Sequence, residues 1–397
     1  MPSALEGVLV LDLGQGIAGP FCAKLLADFG ADVIKVEPPG GEAGRSMGPF
    51  FHDDPHPEKS LFFLLLNLNK RGITLDLGTA TGAHVFKELV TKADVVVENG
   101  PPGHLASFGL GYEDLAQVNP GIIVTSITPF GQNGPHSRFK GEEIVEYAMS
   151  GIMYFSGSTD REPLKHGGFQ AQYDGGLNGA VATAFALLLR DLTGQGEHVD
   201  VSLQEAVSST LVLNQPYYSW NGGVQGRRTP GELLWRNIMP CKDGHFIAQD
   251  GGGASWDDIA DFFGRPEMKD PKFSVPDSRL RHGKELDQIV LEAAKDRTRH
   301  EMFRTACEQY RILFGIVQSP EDLANCPQLA YRRFYQEVDH PVIGRIKVPN
   351  KIIAMSETPC RYRAPAPLLG EHNQEVYTGL LGYRKEEVVR LRKLNVI

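Results

Sequence analysis

Cysteine is scarce in this chain. Five, Cys22, Cys241, Cys307, Cys326 and Cys360, are scattered over 397 residues. Their number is odd and no CxxC or Cys/His spacing occurs, which argues against a disulfide framework and a zinc site. Reduced thiols in a cytoplasmic protein are expected. Basic charge is also short. Forty Lys and Arg face 49 Asp and Glu, for a net charge of −9. That argues against the clustered positive footprint of a nucleic-acid binder. It leaves room for an anionic ligand in a local basic pocket. Long apolar runs are missing too. The longest, from Ala180 to Leu189, falls short of the roughly 20 residues that span a membrane. No basic segment precedes an apolar run at the N-terminus, so no signal peptide is expected. Internal repeats and low-complexity tracts are absent.

What is present fits a folded enzyme-sized protein. Hydrophobic residues make up 41% and charged residues 22%, enough to fill a core in two or three domains. Gly7-Val8-Leu9-Val10-Leu11-Asp12 reads as a buried strand. Helical spacing follows over 20–29, with Phe21, Leu25, Leu26 and Phe29 apolar and Gly30 as the stop. Residues 31–37 form a second strand, ended by Pro38-Pro39-Gly40. This βαβ unit implies a parallel sheet flanked by helices. Strands at 72–77, 94–99 and 121–127, with a helix over 79–93, continue the pattern. Helices are expected over 142–153 and 175–191, the second rich in Ala and Leu and read as buried all round. A small domain is expected at 225–330, with a strand near 245–248 and helices near 255–263, 284–296 and 299–309. The large domain then comprises 1–224, with 331–397 returning to it.

Gly14-Gln15-Gly16-Ile17-Ala18-Gly19 is a literal GxGxxG after a strand and before a helix. Glu37 ends the next strand, where an acidic residue would hold a ribose hydroxyl. The physics is broader than dinucleotide binding. Glycine lets a backbone approach a ligand, and a helix N-terminus favours phosphate. CoA, a dinucleotide or a ligand-free turn all fit these residues.

The remaining motifs narrow the choice. Ala18-Gly19-Pro20 is followed by Phe29-Gly30-Ala31-Asp32-Val33-Ile34-Lys35-Val36-Glu37. Leu68-Asn69-Lys70-Arg71-Gly72, Ala93-Asp94-Val95-Val96-Val97-Glu98-Asn99 and Phe130-Gly131-Gln132-Asn133-Gly134-Pro135 come next. Then come Ala148-Met149-Ser150-Gly151, Thr193-Gly194-Gln195-Gly196 and Pro367-Leu368-Leu369-Gly370-Glu371-His372-Asn373. In this order the chain resembles the class III (CaiB/BaiF) CoA-transferase family from end to end. The resemblance implies an α/β fold with a Rossmann-like large domain, a small inserted α/β domain and an interlocked dimer. It implies CoA transfer between carboxylic acids, with CoA thioesters as substrates and no metal or redox cofactor.

The resemblance also implies a nucleophilic aspartate that attacks the donor thioester to form a mixed anhydride. It lies in a segment like Ala-Asp-Tyr-x-x-Gly-Leu. Here that segment is Ala171-Gln172-Tyr173-Asp174-Gly175-Gly176-Leu177. Alignment without gaps places Gln172 at the aspartate position. A gap inside a packed helix would rotate its apolar face. An amide cannot form the anhydride, though it hydrogen-bonds. Asp174 has two readings, a re-registered nucleophile or a helix N-cap. Glu143 matches an acidic residue near the catalytic carboxylate of related transferases; a solvated helix face is the alternative.

CoA contacts implied by the resemblance fall on Gly16, Ile17, Ala18, Leu75, Asn99, Lys140 and Leu203. Two basic positions of related enzymes are replaced, by Pro38 and Ser107. The racemase branch uses a histidine where Glu142 stands, which argues against α-proton chemistry. Together these features resemble the aspartate-lacking subunit of a heteromeric enzyme of the succinyl-CoA:benzylsuccinate CoA-transferase type, known from anaerobic aromatic degradation. The implied partner is a homologous subunit carrying the aspartate. Loops at Gly251-Gly252-Gly253 and around Trp220 and Gly222-Gly223 are candidates for shaping the acid pocket.

Overall fold

The computed structural model describes residues 3–227, 238–249, 253–349 and 352–397. The chain divides into two compact units. One comprises Met1–Ser156, Leu164–Gln225 and Tyr331–Ile397; the other comprises Gly157–Pro163 and Gly226–Ala330.

The first unit is built on six parallel strands: β1 (Leu9–Asp12), β2 (Asp32–Glu37), β3 (Lys70–Thr74), β4 (Val95–Glu98), β5 (Ile123–Thr128) and β6 (His198–Ser202). Their order is β3-β2-β1-β4-β5-β6. Its helices before and after the sheet's turn are α1 (Ala18–Asp28), α2 (Leu61–Leu66), α3 (Ala80–Val90), α4 (Tyr112–Val118), α5 (Glu143–Met149), α6 (Ile152–Phe155), α7 (Gln170–Thr193) and α8 (Leu203–Ser208). One face of the sheet packs on α3, α4 and the C-terminal helix Lys385–Lys393, through Phe86, Leu89, Leu115 and Leu391. The other packs on α1 and α7, through Cys22, Leu26, Ala180 and Leu187. Strands buried on both sides explain the near-continuous Val, Ile and Leu runs. The strand expected at 72–77 pairs with β2 over Lys70–Thr74, starting two residues earlier and ending three residues earlier. Asp76 instead donates its backbone N–H to the carbonyl of Val396, which ties the C-terminal segment to this unit.

Strand order reverses between β1 and β4, the place where open α/β sheets bind ligands at their carboxyl ends. The glycine loop follows β1 there, and Asn99 follows β4. Beneath them Asp12 is fully buried and ion-paired to Lys70 at 2.8 Å, with Lys35 at 3.7 Å.

Two expectations about helices need correction. The helix expected over 142–153 breaks at Gly151, whose φ is +89°, into α5 and α6. Helix α7 begins at Gln170, with Phe169 at its N-cap. Asp174 therefore lies inside the helix and is not its cap. Nor is α7 buried all round. Small residues face inward: Gly176 lies where a Cβ would meet the Ala18 carbonyl at 2.6 Å, and Gly179 where it would meet Ile127 at 2.8 Å. Large residues face outward, with Phe185 68% and Leu192 80% exposed.

The second unit has an antiparallel sheet of Met239–Cys241, Gly244–Gln249 and Leu313–Ile316. The helices Trp256–Phe263, Gly283–Ala294 and Arg299–Thr305 enclose its own core with Phe246, Ile259, Phe262, Leu286 and Met302. Among the described residues no helix is long and apolar enough to cross a membrane.

Candidate active site

Glu143 and Glu146 are three apart on α5, so they share one face. That face is buried and turned towards α7. Glu143 accepts the backbone N–H groups of Ala171 and Gln172, each at 3.2 Å. A carboxylate from another helix thus caps α7, whose first N–H groups have no intrahelical acceptor. Lys165 lies 3.6 Å from the same carboxylate. Glu143 is therefore not on a solvated face.

One turn on, Glu146 is fully buried and takes a 2.8 Å hydrogen bond from the Gln172 side-chain amide. Burial pushes its pKa up to about 7; the Gln172 bond opposes the rise, and Glu143 and Glu142 add to it. Its Oε1 is buried with no hydrogen-bond partner. The sequence reading passed over Glu146, although the acidic pair at i, i+3 was there to be seen.

Asp174 is two residues past Gln172, about 200° round the helix, so the two side chains diverge. Burial raises the Asp174 pKa and His166 opposes the rise. Tyr173 meets Phe21 of α1 edge-on at 4.8 Å. That contact joins the Gln172 turn to the helix that follows the glycine loop.

The glycine loop is fixed from two sides. Asn99 accepts the Gln15 N–H at 2.7 Å and donates to the Gln15 carbonyl at 2.8 Å. The Gly16 N–H, at a φ of +66°, donates to Glu42 at 2.9 Å. Glu37 is not free to hold a ribose. Both its oxygens bind Arg45, at 2.6 and 2.8 Å, and the pair is buried. This removes the residue on which a dinucleotide reading depended.

Beside the loop a cleft of ≈ 210 Å³ is lined by Leu13, Val36, Leu75 and Phe108, with Pro38 and His104 at its wall. Glu98 lines it as well; burial pushes its pKa up to about 7, against hydrogen bonds from Ser126 and the Gly100 N–H. Among the described lining residues none is Lys or Arg. Of the residues expected to contact CoA, Leu75 lines the cleft, Gly16 and Ile17 lie in the neighbouring loop, Ala18 opens α1, and Asn99 braces the loop from the end of β4. Lys140 is exposed elsewhere, after β5. Leu203 is buried against α7 at Gly175. Ser107 donates to the His104 carbonyl at 2.6 Å. Of the candidate pocket loops, Gly222 ends the helix Asn214–Asn221, and Gly251 and Gly252 lie outside the described residues.

The profile of CoA-transferase family III matches residues 5–373. The chain belongs to that family. This class III CoA-transferase is 34% identical over 403 residues to a succinyl-CoA–D-citramalate CoA-transferase of Chloroflexus aurantiacus, covering 100% of this chain and 98% of that one. It is 33% identical to the succinate–glutarate CoA-transferase of Agrobacterium fabrum, covering 95% of each. The beta subunit of the succinyl-CoA–L-malate CoA-transferase of C. aurantiacus is 34% identical, over 99% of this chain and 98% of that one. Among solved structures, a CaiB/BaiF family protein from Brucella suis superposes with a TM-score of 0.86 at 30% identity, over 96% of this chain and 100% of that one. The fold of the transferase is thus the family's.

Proposed function

We propose that this CoA-transferase moves CoA from succinyl-CoA to a second small organic acid, as one subunit of a pair whose homologous partner supplies the nucleophilic aspartate. One observation carries the reading. Position 172 holds an amide, and that amide is engaged with Glu146 at 2.8 Å. The family reaction needs a carboxylate oxygen to attack the thioester carbonyl and expel CoA thiolate. An amide does not supply it, and Asp174 points elsewhere around α7.

The relatives support the donor and the arrangement. Their names combine succinyl-CoA or succinate with D-citramalate, glutarate or L-malate, and the L-malate enzyme is named for alpha and beta subunits. The surface supports a subunit partner. Ile144 and Met149 on α5, Phe185, Leu188 and Leu192 on α7, and Trp220 beyond them are exposed. Apolar surface of this kind marks an interface. A homologous subunit laid over it gives the interlocked dimer.

The test is expression of this chain alone and together with its aspartate-bearing paralogue, with transfer from succinyl-CoA assayed on D-citramalate, L-malate and glutarate. Turnover only in the copurified pair is expected. Full turnover by the chain alone would sink the heteromer. An acyl adduct on Asp174 would favour a homodimer using that residue. CoA binding without turnover beside any paralogue would favour a non-catalytic role.

A further inference from the structure

We propose that Glu146 bars a carboxylate at position 172 from acting as a nucleophile, and that Gln172→Asp together with Glu146→Gln turns this carboxylate–amide pair into an acyl-accepting site. This rests on the reading that position 172 is where the family's nucleophile stands.

The pair is built into two helices. Glu146 is 0% exposed. Its Oε2 is held by the Gln172 amide at 2.8 Å. Its Oε1 has no partner and faces Gly141, where a Cβ would come within 3.3 Å of that oxygen and 2.4 Å of Pro129. A carboxyl group is thus accommodated here by the lack of a side chain at 141. The groups around it are Glu142 and Glu143 on its own helix and Gln172 on α7. The nearby ammonium, Lys165, is paired with Glu143. Among the described residues no ion pair reaches Glu146. Its charge is balanced only by an amide dipole.

The consequence is that position 172 does not regain function by a single change. Gln172→Asp would set a second carboxyl group beside that of Glu146, which is fully buried. Like charges so placed cannot both ionise, and one proton stays trapped between them. A carboxyl group sharing that proton is a poor nucleophile. In Gln172→Asp/Glu146→Gln donor and acceptor change places: the amide at 146 is a neutral donor beside an ionised carboxylate at 172, one methylene shorter than the Gln it replaces. One oxygen of that carboxylate attacks the succinyl-CoA carbonyl carbon, the C–S bond breaks, and CoA leaves as thiolate. The thiolate then attacks the carboxyl carbon at 172, releasing succinate and leaving CoA in thioester linkage to the protein.

The experiment incubates the full-length wild type, Q172D, E146Q, Q172D/E146Q and Q172D/E146A with succinyl-CoA at pH 6 to 9. Adducts are located by peptide mass after quenching, with and without hydroxylamine. Thermal melts identify any variant that does not fold; Q172D/E146A carries the test if the exchanged variant is one of them. Adduct at position 172 is expected in both double variants, with little dependence on pH across that range. Q172D alone should give roughly tenfold less or lower at pH 7, one pKa unit being a factor of ten, and should recover towards pH 9. A merely structural role for Glu146 would not produce that pH-dependent gap. Equal adduct in Q172D and the double variants at pH 7 would overturn the proposal. So would no adduct in folded double variants, or an adduct on Glu146 in the wild type. The outcome is separable from the heteromer. Paralogue-dependent turnover with silent double variants breaks only this inference. Active double variants without paralogue-dependent turnover break only the other.

Discussion

Two carboxylates in this protein are almost equally buried, and their surroundings differ in kind. Asp12 lies under the β1 turn. Burial alone would raise its pKa, but Lys35, Lys70 and the Gly14 N–H hold it below the ordinary carboxylate value. Lys70 also bonds the Pro20 carbonyl and Asn67, at 2.8 and 2.9 Å, so the ion pair is fully enclosed by partners. Glu146 has the Gln172 amide on one oxygen and no partner on the other; burial pushes it up to about 7, and the charges of Glu143 and Glu142 add to the rise. The first arrangement spends charge to fix a scaffold. The second leaves charge uncompensated, which is how functional sites perturb a pKa.

This contrast can be broken by substitution. The largest effect is expected at the scaffold pair. Lys70→Met leaves Asp12 buried without its closest cation and should cost roughly 3–5 kcal/mol in denaturant unfolding. A loss below about 1 kcal/mol would mean that Lys35 compensates alone.

The next effect is at Glu146 and has the opposite sign. Its folded pKa lies above its ordinary value, so the folded chain keeps a proton that the unfolded chain releases. The associated stability is present below pH 4.5 and is lost as pH rises through about 7. Glu146→Gln should flatten that profile and raise stability at pH 8 by on the order of 1–3 kcal/mol. An unchanged slope of unfolding free energy between pH 5 and pH 8 would refute the charge imbalance.

A smaller loss is expected at the α7 cap. Glu143→Ala removes the acceptor of two backbone N–H groups and should destabilise by about 0.5–2 kcal/mol. Hydrogen exchange at Ala171 and Gln172 should speed up while that at Thr183 does not. The exposed pair of Arg345 and Asp339, on the hairpin Tyr335–His340 and Gly344–Pro349, sets the floor. Asp339→Asn should leave the melting temperature unchanged within error, since such pairs add little.

Local patterning explains what the sequence made legible. Val95, Val96 and Val97, or Val33 and Ile34, are strands because their side chains are buried on both faces, and Gly or Pro punctuates them. The proposed register, with Gln172 at the family's aspartate position, rests on the same kind of regularity. What stayed hidden depends on contacts distant in sequence. Local patterning starts α7 five residues late because its cap is Glu143, 28 residues away, while Asp174 is a nearby local decoy. The facing of α7 is not legible in the sequence because Ala, Gly and Leu at helical spacing do not say which side meets the sheet. Here the small residues do, since the backbone lies close to α1 and Ile127. Glu37 looked free for a ribose until Arg45, eight residues on, was seen to occupy both its oxygens.

The outward row of Phe185, Leu188 and Leu192 on α7 bears on how the protein is made in the cell. In the proposed pair, a helix whose bulkiest side chains meet a second chain would tie solubility to the dose of that chain, and synthesis of the two would have to be matched. Any excess of this one would carry a sticky ridge, aggregate at high concentration and fall to proteolysis first.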